Sequence, residues 1–162
     1  MEKSEKQIQM EQELTTVGVS QAVAEFLSTP ERNNKVLNNE GLMVGDMFSI
    51  TGVDDQVAEY VNAETGKSNF GVRLLCAGDV ASITPNTLSG TRKVDKHFVN
   101  PHPAGTYATF PRKERELVLS VARGDYKGKV FRVMDIAEDV QAWKPRAGQD
   151  GKATFYLFEE VK

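Results

Sequence analysis

The pattern of apolar residues changes from helical to strand-like after about the first 40 residues, and this change constrains the fold more than any other feature. Between residues 8 and 27 the apolar positions follow a loose helical period that is interrupted at residues 15–18. Two short helices are therefore expected, with Ser20 as the N-cap of the second. The run Thr29-Pro30-Glu31 predicts another helix start, with Gly41 as a stop.

The remaining residues form short strand-like segments at roughly ten-residue spacing, separated by Gly, Asp, Asn and Pro. Strands do not alternate with helices of 10 to 15 residues, which argues against a parallel α/β sheet. The sequence predicts a mainly β (α+β) protein, with a helical amino-terminal arm at residues 1–40 and an antiparallel β-barrel at residues 41–162. An OB-like barrel is one candidate for this β-barrel. The predicted strands are Met47 to Val53, Val57 to Val61, Phe70 to Cys76, Val80 to Ile83, Leu117 to Val121, Lys129 to Ile136 and Ala153 to Val161.

Three of these segments carry further expectations. Alternation places the odd positions of residues 117–121 and the even positions of residues 70–76 in the core, with Arg73 turned outward. The last strand is apolar on both faces up to Phe158, which predicts a central position or a cover such as the amino-terminal helices.

Composition excludes several classes of protein. With 40% apolar and 27% charged residues in 162, the chain supports neither disorder nor a membrane span, because no apolar run approaches about 20 residues. Residues 1–13 have no signal-peptide pattern, so a cytoplasmic, non-secreted protein is expected. The single cysteine, Cys76, lies in an apolar run and is interpreted as a small buried hydrophobe rather than a reactive thiol.

Charge is strongly segregated along the chain. Residues 91–132 hold ten Lys or Arg against four Asp or Glu, whereas the rest of the chain holds ten against nineteen. Aromatic residues are interleaved with these cations. This combination suits single-stranded DNA or RNA, because cations neutralise phosphates and flat rings stack on bases. The predicted nucleic-acid-binding residues are Arg92, Lys93, Lys96, Tyr107, Arg112, Lys113, Arg115, Arg123, Tyr126, Lys127, Lys129, Arg132 and Trp143.

Within this segment, residues 124–129 are predicted to form a hairpin turn with two lysines and an exposed tyrosine, as in a loop of a small barrel. The same cations also fit ordinary edge protection of strands, and Phe98, Phe110 and Phe131 fit a core. Trp143 fits core packing as well as a place at the edge of the binding face.

Other functions remain open. The acidic arm, with Glu2, Glu5, Glu11 and Glu13, is a possible partner for the basic segment, within one chain or between neighbours. An assembly protein of an oligomeric or viral particle, with homo-oligomer contacts through the amino-terminal helices, is therefore the alternative to nucleic-acid binding. An adaptor that binds another protein by strand addition is a third possibility.

Catalytic patterns are weak, so a non-enzyme without cofactor or metal is expected. Gly66-Lys67-Ser68 resembles the end of a P-loop, but Val61 stands where the first glycine is required. His97 and His102 lack the partners and spacing of zinc motifs. Adjacent carboxylates, as in Asp54-Asp55 and Glu159-Glu160, point to opposite faces of a strand, and the first pair fits a turn.

Overall fold

The computed structural model of this protein describes residues 3–29, 42–61, 63–66, 68–89, 108, 110–111, 113–141, 144–145 and 152–161. Helical segments and strands follow one another along these residues. In chain order they are α1 (Glu5–Thr16), α2 (Gln21–Ser28), β1 (Met47–Val53), β2 (Ala58–Val61), β3 (Ser68–Gly71), β4 (Leu74–Gly78), β5 (Ser82–Ile83), α3 (Pro85–Ser89), α4 (Glu114–Ala122), β6 (Val130–Gln141) and β7 (Lys152–Val161).

The amino-terminal segment forms two helices, as predicted from its interrupted period. α1 begins with a capping box in which Ser4 Oγ accepts from the Gln7 backbone N–H and the Gln7 side chain accepts from the Ser4 N–H. The chain turns at Gly18, whose φ of 97° favours glycine. Ser20 then caps α2 by accepting from the Val23 N–H at 3.3 Å, which confirms the predicted N-cap. The helix start predicted at residues 29–31 and the stop at Gly41 extend outside the described residues.

Five strands form an antiparallel sheet in the order β5-β4-β1-β6-β7, and β2 pairs with β3 in a separate two-stranded sheet. The α+β class is thus confirmed. Within the part of the chain that the structure describes, the five-stranded sheet is open, with β5 and β7 at its two ends. The closed barrel, and with it the OB-like form, stays a prediction.

In the described sheet the last strand lies at one end, so of the two alternatives predicted for it the central position is wrong, and a covering element remains. β7 pairs only with β6 in the described sheet, and the Ala108 N–H donates to the Phe158 carbonyl at 2.6 Å. The helix that contacts β7 is α3, and Phe158 of β7 belongs to the same buried cluster as Leu14 of α1 and Val23 of α2. Phe155, Leu157 and Phe158 are buried all the same.

Several strand boundaries differ from the sequence prediction. The predicted strand at residues 70–76 is divided into β3 and β4, and Val72 and Arg73 lie between them. The alternation within β4 is as expected at its start, with Leu74 buried and Leu75 exposed. Residues 47–53 form β1 with the predicted bounds.

Residues 117–121 are helical, so the strand predicted there is wrong. They lie in α4, whose first turn carries Glu114 and Glu116, a favourable position for acidic side chains beside the helix dipole. Leu117, Val118 and Val121 are buried, and their i, i+1, i+4 spacing matches one face of a helix. α4 packs on β1 through this face.

A cluster of rings fills the core beneath the sheet. The centroids of Phe110 and Phe131 are 5.2 Å apart, and those of Phe48 and Phe158 are 5.7 Å apart in an edge-on contact. The same buried cluster includes Leu14 of α1 together with Val23, Ala24 and Leu27 of α2. The amino-terminal helices therefore bury their apolar faces against the body of their own chain.

Candidate nucleic-acid interface

The described part of the chain contains seven of the thirteen predicted binding residues. Lys113 and Arg115 lie at the start of α4, Arg132 lies in β6, and the others lie between these elements: Arg123, Tyr126, Lys127 and Lys129. Six lie outside the described residues: Arg92, Lys93, Lys96, Tyr107, Arg112 and Trp143. His97, His102 and Phe98 also lie outside them.

Arg115 is paired with the acidic arm. Its Nη1 lies 3.1 Å from Glu13 Oε2, across 102 positions of sequence. This is one contact of the kind expected between the basic segment and the arm within a single chain. Arg115 is consequently occupied by a carboxylate in its own chain and is a weak candidate for a phosphate.

Two further cations are paired across the last two strands. Arg132 bonds to Glu159, which lies directly opposite it in the register of β6 and β7. Lys129 Nζ lies 3.8 Å from Glu160 Oε1, at the outer limit for an ion pair. Both pairs are partly exposed and lower the positive charge of this edge of the molecule.

The connection from α4 to β6, residues 123–129, has a structure different from the predicted hairpin. It is a helix-to-strand connection that begins with a Schellman motif. The Gly124 N–H donates to the Val121 carbonyl at 3.0 Å, and the Asp125 N–H donates to the Ser120 carbonyl at 3.1 Å. Gly124 has a φ of 86°, and Gly128 has a φ of 79° where the chain turns into β6. We call residues 123–129 the basic connection.

Two cations of the basic connection have no carboxylate partner. Arg123 and Lys127 are exposed, and neither forms an ion pair with any residue that the structure describes. Lys113, at the other end of α4, is exposed in the same way. Arg123 and Lys127 are four positions apart in one short connection, so their Cα atoms are at most about 14 Å apart.

Tyr126 holds the basic connection against the core. Its ring centroid lies 5.6 Å from that of Phe110 and 6.0 Å from that of Phe131, and the side chain is half-buried. Lys129 Nζ lies 6.0 Å from the Tyr126 ring centroid. The expectation of an exposed tyrosine is therefore wrong, because the ring packs under the connection. Phe110 and Phe131 are core residues, as one of the interpretations had it.

A groove of about 610 Å³ runs beside the basic connection. Its walls are β1 at residues 49–53, the turn between the first two helices at residues 17–19, and the end of α4 with the basic connection. Lys127 is the one charged side chain among the residues that line it, and the lining contains four glycines: Gly18, Gly52, Gly124 and Gly128. The sequence analysis missed this groove, because its walls come from segments that are far apart along the chain.

The other candidate sites have structural explanations. Burial raises the pKa of the Cys76 thiol to about 12, which agrees with a half-buried hydrophobe. Asp54 accepts from the Gln56 N–H at 3.1 Å in a turn, as expected. Gly66 lies between β2 and β3 of a hairpin, which lacks the strand-to-helix turn of a P-loop.

Comparisons of this chain with protein-family models, with curated proteins and with solved structures found no match. Within the described ranges, no group of three or more His, Cys, Asp or Glu side chains is arranged to hold a metal ion. None of the helices in those ranges combines the length and the apolar character needed to span a bilayer.

Proposed function

We propose that this protein is a non-catalytic binder of single-stranded nucleic acid, and that the basic connection is the described part of its binding surface. The observation that carries the proposal is the pair of exposed cations, Arg123 and Lys127, which lack carboxylate partners among the described residues. Lys129 adds a third exposed cation in the same connection. An OB-like closure of the sheet is a further part of the proposal, but the binding surface does not depend on it.

Because other cations are paired with carboxylates, we propose a binding surface smaller than the whole basic segment at residues 91–132. Arg115 and Arg132 each have a carboxylate within bonding distance, so phosphate would have to displace it. Exposed ion pairs of this kind contribute about 0–1 kcal/mol, so a phosphate can displace the carboxylate at a small cost. A phosphate still binds an unpaired cation more favourably, because nothing has to be displaced there. Arg123 and Lys127 need no such displacement.

The rigidity of the connection also supports this role. The Schellman motif fixes Gly124 at the end of α4, and Tyr126 anchors the middle of the connection on Phe110. Cations on a fixed backbone lose less conformational entropy when a phosphate binds than cations on a free loop. The expected result is weak binding that depends on salt and has little dependence on sequence.

The test is a salt titration of oligonucleotide binding by two double variants. Arg123→Ala combined with Lys127→Ala should weaken binding of a short oligothymidylate and make the plot of log K against log salt shallower. Each lost phosphate contact on single strands changes the slope by about 0.7, so two contacts change it by about 1.4. Fluorescence anisotropy at three salt concentrations measures this slope.

A matched control separates a local effect from the change in net charge. Lys6→Ala combined with Lys144→Ala removes the same charge from two other exposed positions. This control should leave the slope within error of the unaltered protein. Equal slopes for the two double variants, or no binding by the unaltered protein at low salt, would refute the proposal.

The assembly alternative has less support. Its contacts were expected through the amino-terminal helices, but Leu14, Val23 and Leu27 are already buried in their own chain. Ile8 is the large apolar side chain of α1 that stays exposed among the described residues. Light scattering without nucleic acid tests this alternative, because an assembly protein would show a mass above the monomer that rises with concentration.

A further inference from the structure

One edge of β1 has a strand neighbour along only part of its length. β1 pairs with β4 from Phe48 to Val53, apart from a register shift at Thr51. On its other side β1 pairs with β6 at Met47 and Phe48 only. Residues 49–53 therefore have no strand neighbour on the β6 side among the described residues.

The gap arises because β6 begins late. Gly128 turns the chain with a φ of 79°, and β6 starts at Val130. The preceding residues form turns, in which the Lys127 N–H donates to the Gly124 carbonyl and the Lys129 N–H donates to the Tyr126 carbonyl, and they belong to no strand. The groove of about 610 Å³ is lined both by residues 49–53 and by Gly128 and Val130 at the start of β6, so it lies beside this stretch of β1.

The lining of the groove indicates what it accepts. An extended segment beside β1 would lie about 4.8 Å away and would bond with backbone N–H and C=O groups. Aliphatic side chains line the walls at Val17, Val19, Val121 and Val130, and neither an aromatic ring nor a carboxylate is in the lining. A stacked base lacks its usual platform here, whereas aliphatic side chains of a peptide have a surface to contact.

Lys127 gives the groove its charge preference. It is exposed, it lines the groove, and it has no carboxylate partner among the residues described. An acidic side chain of a peptide in the groove would form an ion pair with Lys127, and a basic side chain would be repelled by it. The charge thus complements a peptide with a carboxylate beside aliphatic residues.

We propose that the groove is a strand-addition site, in which residues 49–53 of β1 pair with an extended peptide of another protein that carries aliphatic side chains and an acidic residue facing Lys127. This function is separate from nucleic-acid binding and does not depend on it. The two surfaces meet at Lys127.

The experiment uses the full-length protein and defined peptides. The probe is acetyl-Thr-Val-Asp-Val-Thr-amide, titrated into isotope-labelled protein and followed by amide chemical shifts and hydrogen exchange. Binding should shift the amides of residues 49–53 and slow the exchange of those that do not bond to β4. The peptide with Asn in place of Asp should bind about twofold to fivefold more weakly, as expected for one exposed ion pair.

A groove-filling variant tests the location. A Cβ built at Gly52 meets nothing within 4 Å, and its φ is not in the left-handed region, so Gly52→Val should fold and occupy open space. It should abolish peptide binding. Ala77→Val, at an exposed position of β4 outside the groove, is the matched control and should bind as the unaltered protein does.

A second variant changes the charge of the groove without filling it, so its effect does not depend on packing. Lys127→Glu should reverse the preference, so that a peptide with Lys in place of Asp binds better than the Asp peptide. The proposal fails if the Asp peptide shifts no amides of residues 49–53, or if Gly52→Val binds it unchanged. It also fails if oligothymidylate, but not peptide, shifts these amides. Loss of oligothymidylate binding alone would refute the nucleic-acid proposal and leave this one standing.

Discussion

Replacing Gly78 by alanine should destabilise the protein more than the same change at any other described glycine with a positive φ. Gly78 lies in β4 opposite Phe48, with a φ of 120°. A Cβ added there would lie 2.5 Å from the Met47 carbonyl oxygen and 3.1 Å from the Phe48 Cα. Both neighbours are backbone atoms of the central strand, so a side-chain rotation cannot relieve the contact.

The surrounding hydrogen bonds hold the two strands in this close approach. The Asp79 N–H donates to the Met47 carbonyl at 2.8 Å, and Asp79 Oδ2 accepts from the Met47 N–H at 2.8 Å. Moving β4 away would break both bonds, each contributing about 1 kcal/mol, and a residue other than glycine at this φ costs about 1–3 kcal/mol. The sum is about 3–5 kcal/mol. For a chain of this length that loss lowers Tm by roughly 10 °C.

The assay is thermal and urea denaturation of Gly78→Ala beside Gly66→Ala. Gly66 also has a positive φ, 71°, but a Cβ there meets nothing within 4 Å. Its replacement should cost about 1–2 kcal/mol, since only backbone strain contributes. If the two variants lose the same stability, the close approach at Met47 is not what requires glycine in β4, and the reasoning is refuted.

Three further predictions concern Cys76 and the contacts of Glu11. Burial raises the pKa of Cys76 to about 12, so iodoacetamide at pH 8 should modify Cys76 much more slowly than a free thiol until denaturant is added. Mass spectrometry measures the two rates of modification, and equal rates would contradict the prediction. Glu11 is buried and accepts from Lys3 Nζ and Gln21 Nε2, each at 2.8 Å, so Glu11→Ala should cost about 1–2 kcal/mol in urea denaturation. The hydrogen bond to Glu11 raises the pKa of Lys3 above its ordinary value of 10.5. The contact therefore contributes its full stabilisation below pH 10.5, and this stabilisation is lost as the pH rises through the raised pKa. If Glu11→Ala leaves the pKa of Lys3 unchanged, Glu11 is not the cause of the shift.

Local signals predicted the amino-terminal helices and the first strand of the sheet. Ser20 is a capping residue with a helical period after it, and both signals act within a few residues. The bounds of β1 were also predicted correctly, from a short strand-like segment between turn residues. These elements depend little on distant parts of the chain.

The strand predicted at residues 117–121 failed because five residues are too few to distinguish the two periods. Odd positions were the more apolar, yet Leu117, Val118 and Val121 also lie on one face of a helix. The stronger signals for a helix lie just before and just after residues 117–121. Glu114 and Glu116 fit a first helical turn, and Gly124 fits the position just after a helix end.

The candidate site could be predicted only in part, because charge along a sequence does not reveal which cations keep their charge unpaired in the fold. The pairing of β6 with β7 places Arg132 opposite Glu159, and the docking of α1 brings Glu13 to Arg115. Both contacts join distant segments, so neither is visible in a count of residues 91–132. A cation that precedes the pairing of β6 with β7, which begins at Val130, has no residue opposite it to supply a carboxylate, although Lys129, next to Val130, reaches Glu160. Arg123 and Lys127 of the basic connection accordingly lack one, and the search for ligands of this protein should begin there.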